Sequence, residues 1–312
     1  MRIAVVGAGA MGSIYAGLLA DAGNDVWAVD TWEAHVAAIR EHGVRVEGAS
    51  GDRTVRINAT TRAKDVGEVD LIVVSTKAMD VRAASVDALS LAGTETVVLP
   101  IQNGLGSAET IAEIFGPERV VIGVAEGFGA SVVAPGHVHH AGMKLVRLGE
   151  REGQSSERLE RVAAVWRAAG FTVKTYDDIG PLVWEKLLCN ACFSGTCAAL
   201  DRTIGEVLAD PNAWAVASRC AVEAYDVARA LGIGLSFDEP AEYARAFGLR
   251  IPHARPSLLL DLKAGRRCEI DAINGAIPGL ARSVGLAAPV NETVTALVKA
   301  IEARGREEGP PG

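Results

Sequence analysis

The sequence predicts an α/β chain in two parts, a doubly wound parallel sheet followed by an all-helical region. Three observations predict it: a glycine-punctuated first strand and helix, strand-helix alternation through the first half, and fading strand signals past Asp178. The apolar run Ile3 to Val6 leads straight into Gly7-Ala8-Gly9-Ala10-Met11-Gly12, and a helix-forming stretch, Ser13 to Ala22, follows. That strand-turn-helix context turns a weak glycine pattern into a dinucleotide-binding signature. Gly7 permits the tight turn, Gly9 lets the backbone approach a pyrophosphate, and Gly12 lets helix and strand pack closely. The helix N-terminus offers unpaired N–H groups and a partial positive charge to phosphates. Asp30 stands eighteen residues past Gly12, where an acidic residue bonds a ribose. The bland alternative, a glycine-rich turn that holds nothing, does not explain strand, helix and acid together.

Further strand-like runs follow at Asp25–Val29, Leu71–Ser75, Thr96–Pro100 and Val120–Val124, with helical patterns at Val81–Leu89 and Ala108–Phe115. Such alternation implies a parallel sheet with ligands at the carboxyl ends of its strands. From Ala130 to Gly149 short β-prone runs, split by Pro135-Gly136 and Ala141-Gly142, predict a meander at the sheet edge. A helix over Ser156–Ala169 and a last strand near Phe171–Thr175 close this Rossmann-type domain, expected over residues 1–177. Helical periodicity then runs to Ala303, giving a second, all-helical domain over 178–304. The charged, Pro/Gly-rich residues 305–312 are expected to fray.

Bulk composition narrows the function. The 312 residues are 49% apolar and 22% charged, the profile of an ordinary enzyme. A net charge of −8 argues against nucleic acid, which needs clustered Lys and Arg. No apolar run approaches the roughly 18 residues of a membrane span, and the first apolar run reads as a strand, not a signal peptide. The five cysteines bunch mainly between Cys189 and Cys220, so reduced thiols in a cytoplasmic protein are expected. Cys189-Asn-Ala-Cys192 lies within a helical stretch and reads as buried cysteines, not a redox pair. Two of His137, His139 and His140 would face opposite sides of a strand, which disfavours a shared metal.

Three segments carry chemistry: Ser75-Thr76-Lys77, Gln102-Asn103-Gly104, and a helical set comprising Trp184 to Asn190, Ser257 to Asp261 and Gly265 to Asp271. With the glycine motif and the closing Ala288-Pro289-Val290-Asn291, this ordered set resembles the ketopantoate reductase family over essentially the whole chain. Lys186 and Asn190 are four apart, so on a helix they share one face. A lysine there can hand a proton to a carbonyl oxygen that gains charge as hydride reaches its carbon, provided its pKa is lowered by burial or a second cation. From spacing alone it is equally a solvated lysine beside Glu185. The resemblance makes Lys186 the general acid/base and gives Asn190 the task of orienting the substrate oxygen. It also sets Glu269 and Ser257 against the substrate and leaves Asp261 a structural position, whereas spacing alone makes Glu269 only a helix-start acid favoured by the dipole. Lys77 and Asn103 resemble residues at the nicotinamide end, and each is otherwise a loop-capping polar group.

Two departures from that family stand out. An arginine usually follows the second strand there to hold the 2′-phosphate of NADP, but this chain reads Asp30-Thr31-Trp32-Glu33. Asp30 can accept from both ribose hydroxyls, and a 2′-phosphate would meet like charge, so NAD(H) is expected over NADP(H). Where the family often carries asparagines for the hydroxylated end of pantoate, this chain has Ser194, Ile204 and Ala254. The expected partner is therefore a small 2-oxo/2-hydroxy acid, 2-dehydropantoate or a less hydroxylated relative, held in a cleft between the domains with Ser194 among its contacts. Alternatives are an NAD-dependent D-2-hydroxyacid dehydrogenase with a non-pantoate substrate, a dehydrogenase of the 3-hydroxyisobutyrate type, and a non-catalytic NAD-responsive regulator. Long apolar faces at Ala272–Leu286 and Thr293–Ile301 predict a homodimer through the helical domain.

Overall fold

The computed structural model describes residues 1–127, 129–142 and 145–308. Two compact units divide the chain. The first comprises residues 1–102 and 107–179, and the second comprises 103–106 together with 180–312. The first unit is therefore interrupted, because the short loop 103–106 packs with the helices.

The first unit begins β1 (Arg2–Val6), α1 (Ala10–Asp21), β2 (Asp25–Val29) and α2 (Glu33–His42). Three short strands follow, β3 (Val44–Gly48), β4 (Arg53–Val55) and β5 (Asn58–Thr60), then β6 (Val69–Val74), α3 (Val81–Asp87), β7 (Ala92–Pro100) and α4 (Ser107–Phe115). It ends with β8 (Val121–Glu126), β9 (Gly129–Ala134), β10 (His137–Gly142), β11 (Leu145–Glu150), α5 (Glu157–Ala168) and β12 (Val173–Tyr176). The main sheet runs β5-β2-β1-β6-β7, every pair parallel. Its central strands read as unbroken Val/Ile/Leu runs because both their faces are buried, as a parallel sheet covered on both sides requires.

The segment expected as one edge meander divides between two other sheets. Strands β9 and β10 pair antiparallel, and β10 pairs parallel with β3 to make a sheet of order β4-β3-β10-β9. Strand β11 instead joins β8 and β12 in a third sheet, which meets β7 through the parallel bridge Val98–Val120. The second sheet covers the far side of α1: Ile14 and Leu18 share one core with Val5 of β1 and with Val44, Val46 and Val138. Gly17 makes that approach possible, since a Cβ there would sit 3.0 Å from Val46 Cγ2.

The second unit contains α6 (Gly180–Leu200), α7 (Ile204–Ala209), α8 (Pro211–Ala230), α9 (Pro240–Leu249), α10 (Ser257–Lys263), α11 (Ala276–Ser283) and α12 (Pro289–Glu308). Local chemistry sets the boundaries. Thr203 and Glu206 form a reciprocal capping box at α7, and Asp210 caps α8 with Pro211 in the first turn. Helix α12 continues to Glu308, and 309–312 lie outside the described residues. Helix α6 is the core of the unit: Leu187, Leu188, Ala191, Phe193 and Cys197 pack with residues of α7, α8, α10 and α12. No helix among the described residues is long and apolar enough to cross a membrane.

Candidate active site

The turn after β1 has the geometry its glycines allow. Gly7 adopts φ +91°, and a Cβ on it would lie 2.5 Å from Thr76 N. A Cβ on Gly12 would lie 2.1 Å from the Gly7 carbonyl oxygen, so only glycine lets α1 start this close to the strand. Gly9 differs: a Cβ there would meet no atom within 4 Å. Its requirement is therefore not internal packing, which fits an open cradle before the helix. Gly9 is the N-cap residue of α1, with no side-chain cap and no acid in the first turn, so the N–H groups near Ala10 and Met11 keep their donor capacity. Ser13 Oγ donates to the carbonyl of the buried Ala8 (2.7 Å), and Ser75 Oγ donates to that of Gly7 (2.9 Å). This uncapped, acid-free helix N-terminus fits a dinucleotide pyrophosphate.

Asp30 follows β2 directly. Its Oδ1 accepts from Trp32 N (2.9 Å), and no described residue hydrogen-bonds or ion-pairs with its other oxygen. Arg62, two residues past β5, is held by Asp65 (Nε–Oδ2 2.9 Å). Lys77 leaves the carboxyl end of β6 and precedes a 3-10 turn, Ala78–Asp80. Two neighbouring polar atoms, Thr76 Oγ1 and Gln102 Oε1, are buried without a hydrogen-bond partner among the described residues, while Gln102 Nε2 donates to Val74 O (2.8 Å). Both stand at strand carboxyl ends, and sequence reading had assigned neither a task.

In the second unit, α6 is buried nearly all round, but Leu182, Val183, Lys186 and Asn190 stay half-buried. They form one open stripe at helical spacing. Glu185 is not on it: its carboxylate is buried and accepts from Ser236 N (3.0 Å) and Tyr243 Oη (3.3 Å). Ser194 continues the stripe by one turn but is buried. Glu269 is buried and opens the 3-10 turn Ile270–Ala272. That turn receives the loop 103–106: Leu105 N donates to Ala272 O (2.9 Å), and Gly104, at φ +82°, passes so close that a Cβ would lie 2.2 Å from the same oxygen. The loop that carries Asn103, expected on the cofactor side, therefore packs with the segment that carries Glu269. Asn274 continues the segment and donates to Ala191 O (2.8 Å), beside Asn190.

Other expected residues fall into plainer places. Asp261 is buried and paired with Arg266 (Nε–Oδ1 3.1 Å), and Ser257 is the exposed first residue of α10. Ile204 is a core residue at 3% exposure. Its N–H bonds the carbonyl of Ala254 (3.1 Å), so the two are neighbours. All five cysteines are free and buried. His137 and His139 both approach Glu47 (2.9 and 3.7 Å), whereas His140 bonds Ser50 (3.0 Å). Among the described residues no group of three His, Cys, Asp or Glu is arranged for a metal.

Comparison with known proteins covers both units. The family model described as ketopantoate reductase PanE/ApbA matches residues 3–153, and its C-terminal companion matches residues 178–302. A 2-dehydropantoate 2-reductase from Streptococcus pyogenes is 31% identical over 304 residues, 97% of this chain and 98% of the relative. One from Halobacterium salinarum is 32% identical over 300 residues, 96% and 98%. Among solved structures, a PanE/ApbA family ketopantoate reductase from Ralstonia eutropha superposes with a TM-score of 0.90 at 31% identity, covering 98% of this chain and 100% of that one. A D-mandelate dehydrogenase, solved with NADH and anilino(oxo)acetate, gives 0.90 at 29% identity, covering 98% and 99%.

Proposed function

The chain belongs to the ketopantoate reductase family of pyridine-nucleotide oxidoreductases, and we propose that it interconverts a 2-oxo acid and its 2-hydroxy acid with NAD(H), using Lys186 as general acid/base. The observation that carries this reading is the open stripe of α6, which leaves Lys186 and Asn190 half-buried on a helix buried at all other positions from Trp184 to Ala198. When bound, the nicotinamide supplies or accepts a hydride. Lys186 Nζ gives a proton to the oxygen on C2 during reduction and takes it back during oxidation. Asn190, one turn on, holds that oxygen in line, while Glu269 and Ser257 take the acid's polar groups. Lys77 and Asn103 border the nicotinamide end. The pyrophosphate rests on the turn from Gly7 to Gly12, and Asp30 takes the adenosine ribose.

Three observations support NAD(H) over NADP(H): the unpaired Asp30 oxygen, the engagement of Arg62 by Asp65, and the likeness to a dehydrogenase solved with NADH. For the substrate, the names of the curated relatives favour 2-dehydropantoate. A second reading, an aryl or branched 2-hydroxy acid, is favoured by Ala254 and by the likeness to a D-mandelate dehydrogenase. A hydroxylated substrate would leave polar groups unpaired there, at about 1–3 kcal/mol each. Ranking kcat/KM for 2-dehydropantoate against branched and aromatic 2-oxo acids decides between them. We expect an acid less hydroxylated than 2-dehydropantoate to rank first, and 2-dehydropantoate leading tenfold overturns the second reading. No turnover with any of them overturns the enzymatic reading and favours a cofactor-responsive regulator.

Five free thiols suit a reducing compartment, which places the enzyme in the cytoplasm in this reading. The exposed Leu286 and Leu297, at 39% and 52% exposure on the two faces expected to pair, support a homodimer formed through the helical unit.

A further inference from the structure

His35 lies in α2, is 0% exposed, and enters no step proposed above. Two of its contacts join segments far apart in sequence, and a third is with the N-cap residue of its own helix. Its Nδ1 accepts from Gly136 N (3.0 Å), in the turn between β9 and β10. Its Nε2 lies 2.9 Å from Ser13 Oγ, whose hydroxyl lies 2.7 Å from the Ala8 carbonyl. Its ring stacks on Trp32 at 4.9 Å and 14°, two residues past Asp30.

The protons in this chain have one consistent arrangement. A backbone N–H can only donate, so Nδ1 is the acceptor and the neutral ring carries its proton on Nε2. Nε2–H then donates to Ser13 Oγ, which leaves the hydroxyl proton to donate to Ala8 O. Burial lowers the His35 pKa, against the opposing pull of Asp30 and the Ala8 carbonyl, which keeps the ring neutral as this arrangement requires. The effect on the glycine turn follows from peptide geometry. Every peptide here is trans, so the Ala8 C=O and the Gly9 N–H point in opposite directions. Ala8, Ser13 and His35 are all fully buried, so fixing the carbonyl inward turns the Gly9 N–H away from that buried core.

We propose that His35 is a positioning residue for the dinucleotide: through Ser13 it holds the Ala8–Gly9 peptide with the Gly9 N–H toward the pyrophosphate. Its stacking on Trp32 joins that loop to the Asp30 segment. The inference rests on the assignment of the cofactor to this turn.

Two near-isosteric variants separate the two bonds. His35→Gln places an amide N–H where Nε2–H was, keeping the link to Ser13. His35→Asn keeps an acceptor for Gly136 but does not reach Ser13. Dissociation constants for NADH and ADP-ribose would be measured on the full chain for both variants and for Ser13→Ala, with kcat at saturating NADH and the melting temperature of each. His35→Asn and Ser13→Ala should each weaken both ligands about 10-fold, with kcat within about twofold. The double variant should be no worse than either single one, and His35→Gln should bind like the parent. Equal losses in the Gln and Asn variants, or lowered melting temperatures with unchanged affinities, overturn the proposal. A parent chain that binds neither NADH nor ADP-ribose overturns the cofactor assignment itself, and the inference with it.

Discussion

Replacing Asp30 by asparagine removes a negative charge while keeping an oxygen that can accept from Trp32 N, so it isolates the charge from the turn it stabilises. The NADP 2′-phosphate would lie where this carboxylate meets the adenosine ribose. Two like unit charges about 5 Å apart repel by about 0.8 kcal/mol in water and about 3 kcal/mol at an effective dielectric near 20. Asp30 is half-buried, so solvent screening brings the repulsion to about 1–2 kcal/mol. At about 1.4 kcal/mol per factor of ten, the parent enzyme should favour NADH by about 10-fold or more in kcat/KM. Loss of the ribose hydroxyl contacts in NADPH adds to that ratio. Steady-state rates at fixed 2-oxo acid, read from the absorbance of the reduced nicotinamide, measure it. Asp30→Asn should cut the NADH-to-NADPH ratio by about 10-fold. A parent ratio of one or below, or a ratio indifferent to the substitution, refutes the electrostatic reasoning.

Three other outcomes are expected. Lys186→Ala should lower kcat by about 10² to 10⁴ with NADH affinity nearly unchanged, and Glu269→Ala should raise the acid's KM and lower turnover together; near-parental turnover in Lys186→Ala would reject its role. The buried Glu223 carboxylate accepts from Val290 N and Asn291 N (3.0 Å each) and from Asn291 Nδ2 (2.8 Å) at the start of α12. Asn291 Nδ2 retains Cys220 O as a partner (3.1 Å), so Glu223→Ala strands two backbone donors and should cost about 2–5 kcal/mol in urea unfolding; a loss under about 1 kcal/mol would show that water replaces the carboxylate. Light scattering should return twice the chain mass of 32.5 kDa at micromolar concentration, and the single mass refutes the dimer.

What the sequence made legible was local. The glycine turn could be read because Gly7 and Gly12 answer to contacts within one βαβ unit and with the strand end beside it. Strand β2 matches its expected bounds because an apolar run between Asn24 and Asp30 admits little else. The second sheet was illegible: β3 and β10 pair across about ninety residues, and β4 is only three residues long. In the helical unit the i, i+4 spacing of Lys186 and Asn190 was readable. The burial of Ser194 at the next turn was not, because it depends on the packing around α6. Ile204, the first residue after the Thr203 cap, packs in the core of the helical unit, which its local sequence alone suggests. His35 read as an ordinary helix residue, and only its two buried partners, Ser13 and Gly136, mark it out.

All five cysteines belong to the helical unit and all are buried. Burial pushes the thiols of Cys197 and Cys220 up to about 12 and that of Cys268 to about 11, with Cys192 well above the ordinary thiol value. In the folded unit all five are buried, and these four are held protonated, so a thiolate-seeking reagent has little to attack until the helices part. The labelling rate therefore measures how often the helical unit opens, residue by residue if the adducts are mapped, while opening of the strand-rich unit is silent. A ligand held by the glycine turn alone should leave that rate unchanged, and one that also engages the helical unit should slow it. The thiols thus form a built-in clock that reports on one unit of the molecule independently of the other.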